Sequence, residues 1–90
     1  MPSYLVESYL AESPSALADA GERARSAAEL DTAVRYVRTT FLPGDEQVLH
    51  LFEAPSHDAV RRAVRSAALK YERIVEAVER SAQPQEEDKQ

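Results

Sequence analysis

The amino-acid sequence predicts an α+β fold in which four strands and two helices follow the order β-α-β-β-α-β. Segments rich in β-branched and aromatic residues alternate with segments whose apolar residues recur at helical spacing. Prolines at positions 14, 43 and 55 mark three of the boundaries. With 90 residues and no cysteine, the chain is expected to form one small domain without disulfides over residues 1–80, followed by a disordered acidic tail at residues 81–90.

The first half of the chain is predicted to contain one strand and one helix. Residues 3–10 carry tyrosine, leucine and valine, which are common in strands. Ser13 is the expected cap of a helix that starts with Pro14, because proline at the first helical position loses no hydrogen bond. Leu17 and a series of alanines then form one apolar stripe, which extends the helix to about Leu30.

The second half of the chain supplies the remaining strands and the second helix. Residues 33–42 and 48–53 are predicted as two strands connected by a turn at residues 43–45, where proline and glycine favour a reversal. Ser56 is expected to cap the second helix, in which valine and alanine recur at helical spacing. Residues 71–78 are predicted as the fourth strand.

Few packing arrangements are available to this order of elements, because crossover connections are right-handed. The ferredoxin-like arrangement is the common one, with an antiparallel sheet in the order 4-1-3-2 and both helices on one face. The other face of such a sheet, called the open face below, has no helix to cover it. A second copy of the chain is expected to cover the open face, which predicts a homodimer.

His50 interrupts the apolar third strand and is the main functional clue in the sequence. If Leu49 and Leu51 face the helices, strand alternation places His50 on the open face. Glu7 is expected on the same face and close enough to pair with His50, because the first and third strands are neighbours in this fold.

The turn between the second and third strands decides which residues accompany His50. A three-residue turn, adopted as the prediction, would set Arg38 opposite His50 and Tyr36 on the same face. A four-residue turn would no longer place Arg38 opposite His50, because a register shift of one residue moves every side chain to the other face. The predicted ligand-binding site therefore contains Glu7, Tyr36, Arg38 and His50, with His50 and Glu7 as the predicted metal ligands.

Three classes of function remain open for this site. In the first class, the chain is a small binding protein for a transition metal or a small ligand. In the second class, it is a cofactor-independent, monooxygenase-like enzyme in which His50 acts as the base and Arg38 holds an oxyanion. In the third class, the same residues only pack, and the chain is a structural interaction module.

Charge and hydropathy exclude two kinds of partner. The net charge of −5 does not attract phosphate backbones, so no nucleic-acid partner is expected. No apolar run approaches the roughly 20 residues that cross a bilayer, and the N-terminal residues lack the pattern of a signal peptide. A soluble cytoplasmic protein without a membrane partner is therefore expected.

Four short segments of the chain resemble a family of small actinobacterial and proteobacterial proteins of largely unknown function. These segments are Tyr4-Leu5-Val6-Glu7, Phe52-Glu53-Ala54-Pro55, Ala59-Val60-Arg61 and Arg73-Ile74-Val75-Glu76. One branch of that family is described as nickel-binding, with a ferredoxin-like fold in a homodimer. The resemblance implies the same fold and a homodimer for this chain, with a divalent transition metal such as nickel as the implied cofactor.

The chain departs from the family at positions that bear on metal binding. His50 stands where the family favours cysteine, and the imidazole keeps the ability to bind a metal. Arg38 stands where a histidine is common, and its permanent positive charge repels a metal ion and favours an anionic ligand. Ala68 stands where the family has the glycine of a Gly-Leu-Pro segment.

Overall fold

The computed structural model describes residues 1–9, 14–78 and 80 and confirms the predicted ferredoxin-like fold class. One antiparallel sheet of four strands has the order β2-β3-β1-β4, which is the predicted order 4-1-3-2 read from the other edge. The elements are β1 (Ser3–Tyr9), α1 (Pro14–Leu30), β2 (Arg35–Leu42), β3 (Gln47–Glu53), α2 (His57–Ser66) and β4 (Arg73–Ala77). The expected cap Ser13, the last expected residue of the first strand and the expected tail at residues 81–90 lie outside the described residues.

One face of the sheet packs against both helices and forms the hydrophobic core. Val6 of β1 and Phe52 of β3 are fully buried and belong to the same cluster as alanines and valines of α1 and α2. Short helical side chains such as Ala24 and Ala63 let the helices lie close to the sheet, so the core is thin.

The two ends of α2 show why this helix forms where the sequence predicts it. The Ser56 side chain accepts a hydrogen bond from the Ala59 amide at 3.1 Å, which confirms the predicted N-cap. At the other end, the Leu69 amide donates to the Val64 carbonyl at 2.9 Å, and the Ala68 amide donates to the Arg65 carbonyl at 3.1 Å. These two bonds form a Schellman motif, which satisfies the last carbonyls of the helix.

Ala68 occupies the left-handed position of this Schellman motif, with φ of 58°. Glycine is the usual residue there, because a Cβ atom clashes with the neighbouring carbonyl in this conformation. The chain therefore keeps a strained alanine at this position.

The predicted three-residue turn is wrong, because the turn between β2 and β3 contains four residues, 43–46. Leu42 pairs with Gln47 across this turn, so Thr39 rather than Arg38 lies opposite His50. A β-bulge between Tyr36 and Arg38 then shifts the register again near the start of β2.

The faces of β3 are the reverse of those predicted, as its pairing with β1 shows, and the bulge moves Tyr36 to the other face of β2. His50 and Phe52 lie on the helix-covered face, since they pair with Val6 and Tyr4 of β1. The predicted placement of Tyr36 on the open face is also wrong, because Tyr36 pairs with Phe52. The open face instead carries every second residue of each strand, among them Leu5, Glu7, Leu49, Leu51, Arg38 and Val75.

Candidate functional site

His50 is completely buried between the sheet and the helices and forms one end of a chain of polar groups. Its Nδ1 atom lies 2.7 Å from the Thr39 hydroxyl oxygen. The Thr39 hydroxyl in turn lies 2.5 Å from the Tyr36 hydroxyl. The Nε2 atom of His50 has no hydrogen-bond partner among the residues that the structure describes. A buried ring nitrogen without a partner is uncommon and destabilises the fold unless something pairs with it.

Burial determines the protonation state of this imidazole. Desolvation lowers the pKa of His50 from 6.5 to about 4. The ring is therefore neutral at physiological pH. A neutral imidazole can pack inside an apolar core without an opposing charge, which agrees with Val6 and Thr39 as its neighbours on the adjacent strands.

Glu7 lies on the open face, as predicted, but its partner is not His50. Its carboxylate accepts a hydrogen bond from Arg73 Nε at 2.8 Å, and Gln47 Nε2 is 3.4 Å away. The Glu7 side chain is only 13% exposed, so this ion pair is partly shielded from water. The predicted pairing of Glu7 with His50 is wrong, because adjacent residues of β3 point to opposite faces of the sheet.

The four residues of the predicted site thus divide into two pairs. Tyr36 and His50 share the helix-covered face, where the Tyr36 ring also lies 5.6 Å from the Phe52 ring. Glu7 and Arg38 lie on the open face. A base at His50 and an oxyanion holder at Arg38 do not meet in one pocket, so the geometry does not support the monooxygenase-like arrangement. Whether any of the four residues binds a ligand stays a prediction.

The residues of one chain do not fit the nickel ion that the resemblance implies. In the described ranges, no three His, Cys, Asp or Glu side chains come together in a group that could hold a metal ion. His50 offers one unpartnered nitrogen inside an apolar core, and the Glu7 carboxylate already binds a guanidinium. Nickel binding needs several ligands that converge on one point. The two predicted ligands lie on opposite faces of the sheet, so they do not converge.

His57 forms contacts that the sequence did not suggest, since a position beside a helix cap is usually solvated. Its Nε2 atom donates a hydrogen bond to the Ile74 carbonyl at 3.1 Å. The ring also meets the Tyr4 ring edge-on at a centroid distance of 6.1 Å. His57 therefore joins the start of α2 to β4, which is an edge strand of the sheet.

Two adjoining cavities, of about 430 and 530 Å³, lie where the end of β1 meets α1 and the connection from α2 to β4. Ser8, Tyr9 and Lys70 line both of them, and the combined space is called the Lys70 cleft below. Arg23 lines the first cavity and Arg65 the second. The sequence alone did not indicate the cleft, because its residues come from three distant parts of the chain and form no local motif.

Comparisons with known proteins agree with this fold. The crystal structure of SCO4226 from Streptomyces coelicolor A3(2) matches the chain with a TM-score of 0.69 and 23% sequence identity, over 88% of this chain and 99% of that chain. At this identity the match supports the shared fold. Comparison with curated proteins gives no match. Among the described residues, no helix is long and apolar enough to span a lipid bilayer.

The sequence pattern of one protein family also matches the chain. The family is described as "Nickel responsive protein SCO4226-like", and the match extends over residues 4–77, which is most of the sequence. This agrees with the resemblance seen in the short segments above. The chain therefore belongs to the SCO4226-like family of nickel responsive proteins.

Proposed function

We propose that the chain is a small binding protein that works as a homodimer, with two copies joined through the open face. The observation that carries this proposal is an apolar stripe across the centre of that face. Leu5 lies opposite Leu51 on one side and opposite Val75 on the other, so the stripe crosses three neighbouring strands. Leu51 is already buried in the single chain, whereas Leu5 and Val75 are partly exposed. A second copy would remove this remaining apolar surface from water and stabilise the dimer.

Paired charges at the margin of the open face support the same interpretation. Arg35 and Glu53 form an ion pair at 2.6 Å near one end of β3. Arg73 and Glu7 form another at 2.8 Å. An apolar centre inside a polar margin is the usual arrangement of a protein interface. The small size of the chain and its alanine-rich core add a further reason for association.

Oligomeric state in solution tests the proposal directly. Light scattering coupled to size exclusion should give twice the mass of one chain for the natural sequence. Leu5→Lys, at the centre of the stripe, should give a monomer with an unchanged circular dichroism spectrum. Leu30→Lys is the matched control, because Leu30 is an exposed leucine at the end of α1 and should leave the dimer intact. A monomeric natural chain at high micromolar concentration would refute the proposal.

We infer that the ligand of the proposed binding protein is an organic molecule rather than a metal ion held by one chain. The family's description mentions nickel, yet the two predicted ligands His50 and Glu7 lie on opposite faces of the sheet. The Lys70 cleft, in contrast, is a concave surface that is open to solvent and lined by several polar groups. A cytoplasmic location stays a prediction.

A further inference from the structure

We infer that the Lys70 cleft binds a small organic carboxylate, that is, an anionic group on an apolar body. The inference rests on the proposed binding role but not on dimer formation, since most of the cleft is built by helical and loop residues away from the apolar stripe. Three kinds of observation support it: the local charge, the chemistry of the walls and a strained backbone position at the rim.

The local charge of the cleft is opposite to that of the whole chain. The cationic side chains Arg23, Arg65 and Lys70 line its walls, against the carboxylates of Asp19 and Glu72. The chain as a whole carries a net charge of −5. A cationic region within an acidic protein attracts a small anion locally, whereas it does not attract an extended polyanion.

The guanidinium of Arg23 is held in position, whereas the other two cations are available. Arg23 Nε donates to the Asp19 carboxylate at 3.0 Å, and its Nη1 atom donates to the Ala67 carbonyl at 3.4 Å. Among the described residues, the side chains of Arg65 and Lys70 have neither an ion pair nor a hydrogen bond. Ordering these two cations around a carboxylate would form charge-assisted hydrogen bonds without breaking an existing pair.

The walls between these cations match an apolar body that carries one polar group. Ala16 and Ala20 of α1 line one side, and Leu69 and Tyr71 line the other. Ser8 lines both parts of the cleft and is 6% exposed. Its hydroxyl can donate to a carboxylate oxygen. Inorganic phosphate would satisfy the cations but would leave the apolar walls unfilled.

Ala68 adds an independent argument, because its strained backbone lies in the wall of the cleft. Glycine would adopt the same conformation without strain. Strained backbone positions persist mainly where the site has a use for them. At Ala68 the extra methyl group adds apolar surface to the wall of the cleft.

Nuclear magnetic resonance titration of the natural chain with phenylacetate tests the inference. Saturable shifts are expected at the amides of Ser8, Ala20 and Ala68. Phenylacetamide is the neutral probe of the same shape and should bind at least about five-fold more weakly, because it lacks the charge. Inorganic phosphate is the second comparison and should also bind more weakly than phenylacetate.

Two charge-removing variants locate the site. Lys70→Met and Arg65→Met should each weaken phenylacetate binding by about five-fold or more. Arg62→Met is the matched control, because Arg62 lies on the same helix and removes the same charge but pairs with Asp58 outside the cleft. Its affinity should stay within about two-fold of the natural chain, since surface charges contribute little at a distance.

The outcomes separate this inference from the dimer proposal. Phenylacetate binding retained in monomeric Leu5→Lys would support a cleft that works without the second copy. The inference is overturned by absence of saturable shifts in the natural chain, by phosphate binding as tightly as phenylacetate, or by equal losses in Arg62→Met and Arg65→Met. A natural chain that is a dimer but shows no such shifts would overturn the inference alone.

Discussion

His50 and Glu7 lie on opposite faces of the sheet, because His50 pairs with Val6 and Glu7 pairs with Leu49 in the same β1–β3 register. The imidazole is therefore part of the core, and the carboxylate belongs to the face proposed for dimer formation. Because of this separation, the two residues of one chain do not contribute to the same site.

The buried imidazole should make stability depend on pH. The pKa of His50 is about 4 in the folded chain and 6.5 when the ring is exposed, so between these values the unfolded chain binds a proton that the folded chain does not. Stability is then complete above pH 6.5 and falls as the pH is lowered toward 4. At about pH 5 the loss from this residue should be about 2 kcal/mol, measured by urea unfolding.

A comparison with His50→Leu isolates this effect from other titrating groups. The variant should lose less stability than the natural chain between about pH 7.5 and pH 5, because leucine does not titrate. If the stability of the two proteins changed with pH by the same amount, the imidazole of His50 would not be buried in its neutral form as described.

The Thr39 hydroxyl should contribute more to the stability of the fold than the hydroxyl of the neighbouring Thr40. Thr39→Val leaves His50 Nδ1 and the Tyr36 hydroxyl without their common partner, and should lower the free energy of unfolding by about 1–3 kcal/mol. Thr40→Val is the matched control, since Thr40 is exposed and lies on the open face. Chemical unfolding of both variants checks the difference, and equal losses would argue against the polar chain.

Replacing Ala68 by glycine should stabilise the chain. Glycine adopts the left-handed conformation at this position without strain, so Ala68→Gly should raise the free energy of unfolding by about 1 kcal/mol. Ala67→Gly should instead lower the free energy of unfolding by a similar amount. Ala67 has a φ of −87°, which alanine adopts without strain, so glycine there relieves no strain and only adds backbone freedom to the unfolded chain. Thermal unfolding of the pair measures both effects; destabilisation by Ala68→Gly would contradict the strained conformation.

Nickel titration should not depend on the two predicted ligands. His50 Nε2 lies in the core and Glu7 binds Arg73, so calorimetry of His50→Leu and Glu7→Gln with Ni²⁺ should give the same isotherm as the natural chain. Loss of heat in either variant would show that the residue contacts the metal and would contradict the arrangement described above.

The sequence predicts the elements of this fold well, because each has a local signal. Ser56 accepts the expected capping bond, and the apolar stripe of α2 is buried as its spacing predicts. The first strand also has the predicted faces, because Tyr4 and Val6 are buried while Glu7 lies opposite. Alternation identifies a buried face when the two faces of a strand differ clearly in polarity.

The candidate site could not be predicted in the same way, because β3 is apolar on both faces. Val48 and Phe52 are as hydrophobic as Leu49 and Leu51, so alternation alone does not say which pair faces the helices. The length of the turn decides the register, and a bulge near Val37 changes it again. Neither feature has a clear local signal, and the Lys70 cleft depends on tertiary packing.

The hydrogen bond from His57 to the Ile74 carbonyl has a consequence for assembly. It engages a carbonyl of β4, an outer strand of the sheet, so an incoming strand would have to compete for that acceptor. Lateral extension of the sheet into fibrils is thereby disfavoured on this side. The proposed dimer uses the open face of the sheet, so its formation would not need this edge.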